Sequence, residues 1–190
     1  MTVSRKGDGF FMGKSHRGID IAASFHTKLH IMPTINQRIT PFLWFDKNAE
    51  EAVNFYTAIF KNSKVNAITH YSEAAANASG QPKGSVMTIS FDLDGQEFVA
   101  KNGGPAFKLT EAVSFVVNCK DQEEIDYYWQ QLTNGGEESV CGWLKDKFGL
   151  SWQVTPIILP ELLKDPVKGE RAMQAVVKMK KIEISKLENG

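Results

Sequence analysis

Apolar residues along this chain alternate between a two-residue and a helical period, and they do so twice in the same order. Ile39-Thr40-Pro41-Phe42-Leu43-Trp44-Phe45 reads as a short strand. Pro41 suits an edge, or a ladder position whose donor is not needed. After Asp46 and Lys47, the residues Ala52, Val53, Phe55, Tyr56, Ile59 and Phe60 recur at helical spacing. Asn48 is placed to cap that helix, and Glu50 and Glu51 favour its positive end. Residues 63–71 alternate as a second strand, 74–82 read as a mobile loop, and 84–92 and 96–102 form a hairpin around Asp94-Gly95. The order is βαβββ.

A second copy begins near Ala112. Val113 to Cys119 is its strand, and Asp121-Gln122-Glu123-Glu124 opens a helix through Ile125, Tyr128, Trp129 and Leu132. Asn134-Gly135-Gly136 then ends that helix as a left-handed cap would. A constant shift along the chain lays Glu50-Glu51 on Glu123-Glu124 and Phe55-Tyr56 on Tyr128-Trp129. Residues 136–140 are too short for a full strand arm, so the second copy reads as truncated ahead of its last hairpin. That hairpin, Cys141 to Pro156, carries a Trp in each strand around Asp146-Lys147-Phe148-Gly149. From Pro160 the pattern turns helical, with Leu162, Leu163, Met173, Val176, Val177, Met179 and Ile182 recurring. The fold class is therefore α+β: tandem βαβββ modules, about 38–105 and about 110–159, with an α-helical C-terminal extension over 160–187.

Composition narrows the functional classes. The chain has 22 basic and 22 acidic residues, which argues against an extended nucleic-acid footprint. A solvated helix face accounts for Lys178, Lys180, Lys181 and Lys186. No apolar run is long enough to span a bilayer. The two cysteines, Cys119 and Cys141, form no CxxC pair, which suits a reduced, cytoplasmic protein, although a single bridge between them stays open. Residues 1–31 lack apolar periodicity and hold His16, His26 and His30. They read as a disordered N-terminal extension ahead of a domain over 32–187.

The tandem order resembles the vicinal-oxygen-chelate superfamily of glyoxalases, ring-cleaving dioxygenases and bleomycin-resistance proteins. The runs 39–46 and 49–52, then Cys141 to Asp146, Gly149 and Ser151-Trp152-Gln153, are similar to the PhnB-like branch, often labelled 3-demethylubiquinone-9 3-methyltransferase. The resemblance covers about residues 37–187. It implies a cavity on strand faces and, in metal-dependent members, a divalent ion held by one side chain from each of four strands. At those places the chain offers Ile39, Thr40 or Pro41, then Val99, Ser114 and Gln153. One ligating side chain in four does not hold a metal, and the lone body histidine, His70, sits apart. No metal and no cofactor are expected. The methyltransferase label finds no donor-binding turn, because Asn102-Gly103-Gly104-Pro105 leads into a loop and strand rather than a helix.

Candidate chemistry lies on strand faces. Ser114 alternates with Val116 and Asn118, and Gln153 with Ser151 and Thr155, so each trio shares one face. Phe115, Val117, Trp152 and Val154 then pack beneath the helices. The candidate ligand-binding set is Phe45, Asn102, Ser114, Trp143 and Gln153; no catalytic residue is identified. Cys119 and Cys141 read as structural cysteines, and Asp46, Glu50, Glu51, Glu123 and Glu124 as helix-start residues. The leading expectation is a binding protein with a metal-free apolar cavity for a small molecule, acting as a homodimer because superfamily members commonly pair sheets across chains. The alternatives are a glyoxalase-like or dioxygenase-like enzyme, a methyltransferase as the label says, or a structural protein whose cavity is vestigial.

Overall fold

The structure is a computed structural model that describes residues 37–188; the expectations for residues 1–31 lie outside that range. The first module runs β1 (Phe42–Phe45), α1 (Ala49–Ile59), β2 (Lys64–His70), α2 (Glu73–Ser79), β3 (Val86–Leu93) and β4 (Gln96–Asn102). The second runs β5 (Ser114–Cys119), α3 (Gln122–Leu132), β6 (Glu137–Glu138), β7 (Trp143–Lys145) and β8 (Ser151–Pro156). Their sheets have the same order, β1-β4-β3-β2 and β5-β8-β7-β6. In each, the first strand runs parallel to the last, and the other pairings are antiparallel. This is the tandem βαβββ architecture.

Three local expectations are corrected. The first strand starts at Phe42 rather than Ile39; Pro41 stays outside it, yet its carbonyl accepts Val99 N–H at 2.9 Å. Residues 74–82 are not simply a loop: Ser72 caps α2 by accepting Ala75 N–H, and Gly80, at φ +73°, ends it. α2 presents no apolar face to a core, since none of its residues is buried. The second copy is not missing an arm. It has all four strands, but β6 spans two residues and β7 three. Gly136 makes this compression feasible, since a Cβ there would lie 2.2 Å from the Lys145 carbonyl oxygen.

The helix-facing sides of both sheets share one core. Phe60 of the first module stacks on Trp152 and Tyr128 of the second at 5.4 and 5.1 Å between ring centroids. Phe98 meets Phe115 edge-on at 5.1 Å. A buried carboxylate joins the modules. Asp146 Oδ2 accepts Tyr56 Oη–H and Trp152 Nε1–H, both at 2.8 Å, while Oδ1 accepts the N–H groups of Phe148 and Leu150. Burial pushes the Asp146 carboxyl above the usual carboxylate range despite these four donors, and it pushes the Tyr56 hydroxyl well up.

The C-terminal extension forms α4 (Ile158–Leu162), α5 (Pro166–Val176) and α6 (Ile184–Glu188). It docks on the second module by main-chain bonds from Cys141 N–H to Met179 O and from Gly142 N–H to Lys180 O. Lys180 and Lys181 pair with Glu138 and Asp126. Those exposed pairs add little to the main-chain bonds and the buried cluster of Val176, Met179, Ile182 and Leu187.

Candidate functional site

The second sheet turns one face to the helices and leaves the other open. Strand alternation fixes which residues face each way. Trp152, Val154 and Val117 are buried, whereas Val116 and Asn118 are exposed and Gln153 half-buried. The ladder aligns Val116 with Gln153 and Gln153 with Trp143, giving one row across three strands. The next row is Ser114, Ser151, Lys145 and Glu137. Gln153 Nε2 donates to Ser114 Oγ at 2.9 Å and so ties the rows together. The result is a polar bridge on a half-buried sheet face, in register with an indole and a valine.

Two of the five candidate residues lie elsewhere, for separate reasons. Phe45 follows Leu43 to the core side of β1, is 4% exposed and packs on Phe148. Asn102 is buried and fully engaged. Its Oδ1 accepts Ala49 N–H, its Nδ2 donates to Glu50 and to the Val86 carbonyl, and its own carbonyl accepts Tyr71 Oη–H. Asn102 thus supplies the helix cap expected of Asn48, whose side chain makes no capping bond. On the open face of the first sheet, Trp44 Nε1 donates to the Gly104 carbonyl and its ring lies on Gly103, where a Cβ would sit 2.2 Å away. Asn102-Gly103-Gly104 is accordingly a packing turn.

Cavities flank the open face. Trp143, Lys145 and Ser151 border one of about 410 Å³, with Glu111, Glu137 and Glu138. Ser114 and Val116 border another of about 430 Å³ on the far side of β5, with Phe98, Tyr128 and Trp152. Trp143 and Ser114 therefore belong to one sheet face but to different hollows. Pattern reasoning put Ser151 on the right face and missed Glu111, Glu137 and Lys145. Glu111 sits in the connection between modules, where no period marks it. The Glu111–Lys145 ion pair lowers the Glu111 pKa by hydrogen bond and charge and raises that of Lys145, to which Glu137 adds.

A divalent ion of the kind the fold hosts elsewhere does not fit the donor set. Ile39, Thr40 and Pro41 lie ahead of β1, Val99 stands on β4, and Ser114 and Gln153 stand on the second sheet. Aliphatic carbons cannot ligate, and Ser114 and Gln153 bond each other. Among the described residues, no group of three His, Cys, Asp or Glu side chains is placed to hold an ion. His70 is exposed on β2. Neither cysteine is bridged; Cys119 is buried, and its thiol is pushed up to about 12 chiefly by burial, then by Glu124 and Asp121. Among the described residues, no helix is long and apolar enough to cross a membrane.

Fold and open sheet face together define a vicinal-oxygen-chelate protein of PhnB-like type. The model of the 3-demethylubiquinone-9 3-methyltransferase family matches residues 37–155, and the chain belongs to that family. No curated protein matches it. Among solved structures, it is similar to the PhnB protein from Bacillus cereus at 37% identity, over 63% of this chain and 99% of that one, with a TM-score of 0.56. It is similar in fold to protein PA1353 from Pseudomonas aeruginosa at 21% identity, over 63% and 97% of the two chains, with a TM-score of 0.51. The fosfomycin resistance protein FosX from Listeria monocytogenes matches at 17% identity over 70% and 100%, with a TM-score of 0.49.

Proposed function

We propose that the protein binds a small organic molecule on the open face of its second sheet, through Ser114, Gln153 and Trp143. The observation that carries this reading is the Ser114–Gln153 hydrogen bond on a half-buried strand face, in register with Trp143. The bond holds an amide and a hydroxyl in one place on the face, and the indole of Trp143 stands on the neighbouring strand. The reading is of binding rather than metal-assisted catalysis, since the donor set suits no ion and the buried thiol of Cys119 is far from reactive. We place the protein in the cytoplasm, which both unbridged cysteines support. We also propose a homodimer: exposed Phe42 and Val116 leave each open sheet face with apolar surface that a second copy can cover.

Native mass spectrometry of the full chain, purified without chelator or added ligand, tests the site. The expected result is a retained small molecule that Gln153→Ala releases while the melting curve stays intact. A chain that never retains or takes up a molecule, with Gln153→Ala indistinguishable in every binding screen, would remove the reading.

A further inference from the structure

We propose that the cavity beside Trp143 selects a small organic cation, an ammonium group carried on an aromatic or other apolar body. This rests on the binding reading above and adds the charge of the ligand. Among the described residues, the cavity's charged lining is three carboxylates, Glu111, Glu137 and Glu138, and the ammonium of Lys145. Two of these carboxylates are committed. Glu111 pairs with Lys145, and Glu138 accepts Trp129 Nε1–H at 3.0 Å and lies 3.5 Å from Lys180. Glu137 makes no side-chain hydrogen bond or ion pair among the described residues, yet the ladder sets it opposite Lys145 on the open face.

A second observation points to a ligand independently of charge. Ser151 is 1% exposed and lines this cavity, and its hydroxyl has no hydrogen-bond partner among the described residues. Alternation with core-facing Trp152 puts it on the open face, and the ladder sets it directly opposite Lys145. A buried hydroxyl without a partner destabilises a fold, and such groups in native structures mark sites with an unmade contact. The hydroxyl can accept a hydrogen bond from a ligand N–H, while Glu137, one strand beyond Lys145, adds attraction at longer range. Trp143 provides a ring surface to which cations are drawn. An anion would meet three carboxylates, and Lys145 is already held by Glu111. A neutral molecule would use the ring and leave Glu137 idle.

Three probes of one shape separate the possibilities: benzylammonium, benzyl alcohol and benzoate, titrated into the full chain at neutral pH by calorimetry. Benzylammonium should bind tightest and benzoate weakest. Glu137→Gln should weaken benzylammonium by about twofold to fivefold and leave benzyl alcohol unchanged, the size expected of an exposed ion pair. Ser151→Ala should weaken benzylammonium and, by removing an unpaired buried hydroxyl, melt no lower than the parent chain. If benzyl alcohol or benzoate matches benzylammonium, or Glu137→Gln changes nothing, the cation preference is wrong and the binding face survives. If none of the three binds while native mass spectrometry still shows a molecule that Gln153→Ala releases, the inference falls and the binding face survives; if that molecule is missing too, both fall.

Discussion

Tyr56 and Asp146 offer the sharpest test of how the two modules are held together. Tyr56 lies on α1 of the first module and Asp146 in the β7–β8 turn of the second; both are buried, and they share a 2.8 Å hydrogen bond. A hydrogen bond to an ionised group is worth about 1.5–3 kcal/mol when neither partner can turn to water. Tyr56→Phe removes that bond with little change in packing, so it should cost about 2 kcal/mol, or about 4–8 °C in melting temperature for a domain of this size. In Asp146→Asn the amide oxygen can still serve the Phe148 and Leu150 N–H groups, but the NH₂ then faces Tyr56 and Trp152. The tyrosine hydroxyl can reverse and accept; the indole can only donate and is orphaned. In that background Tyr56→Phe loses a neutral bond of about 1 kcal/mol, so the double-mutant cycle should show coupling of about 1 kcal/mol. Burial raises the Asp146 pKa. The folded state therefore holds the proton more firmly, and the stability of the wild type relative to Asp146→Asn should decline as pH rises from about 4 through the folded value. Urea melts of the four proteins across pH supply every term. A Tyr56→Phe loss below about 0.5 kcal/mol, or an equal loss in both backgrounds, would refute a carboxylate clamp between modules.

Strand parity in β8 predicts opposite behaviour at adjacent positions. Trp152→Ala should cost about 3–5 kcal/mol, because the ring is buried against Tyr56, Phe60 and Phe115. Gln153→Ala should melt almost normally, and the reverse outcome would invert the assigned faces. Cys119 should resist iodoacetamide in the native protein while half-buried Cys141 reacts, as peptide mapping would show. With its thiol held at about 12, the folded state loses stability as pH climbs from about 8.5 toward that value. Cys119→Ala should flatten the early part of that loss, before Tyr56 and Tyr128, both also raised, add theirs from about 10 upward. Adding manganese or zinc should leave the melting temperature unchanged; a rise that Gln153→Ala abolishes would restore a metal site.

The sequence by itself determined what depends on local periodicity. The repeated βαβββ order was legible because each strand and helix announces its period, and the two copies corroborate each other. The parity of β5 and β8 was legible too, because polar and apolar residues alternate there: Ser114 and Gln153 reach one face and Trp152 the other. In β1 the same reasoning had nothing to grip. Phe42, Leu43, Trp44 and Phe45 are all apolar, so only packing shows that Phe45 goes inward. The expectation of no metal came from residue types alone, since valine cannot ligate in any fold, and the manganese and zinc melts test it. Long-range polar partnerships were not. Asn102 caps a helix that starts more than fifty residues earlier in the chain. Asp146 looked like an ordinary turn residue until Tyr56, from the other module, closed over it. Glu111, Glu137, Lys145 and Ser151 are scattered over a connection and three short strands, and only the ladder register and the fold of the connection bring them to one cavity. Periodicity is a property of neighbours along the chain, whereas a site is a property of neighbours in space, and the second follows from the first only after the sheets have closed.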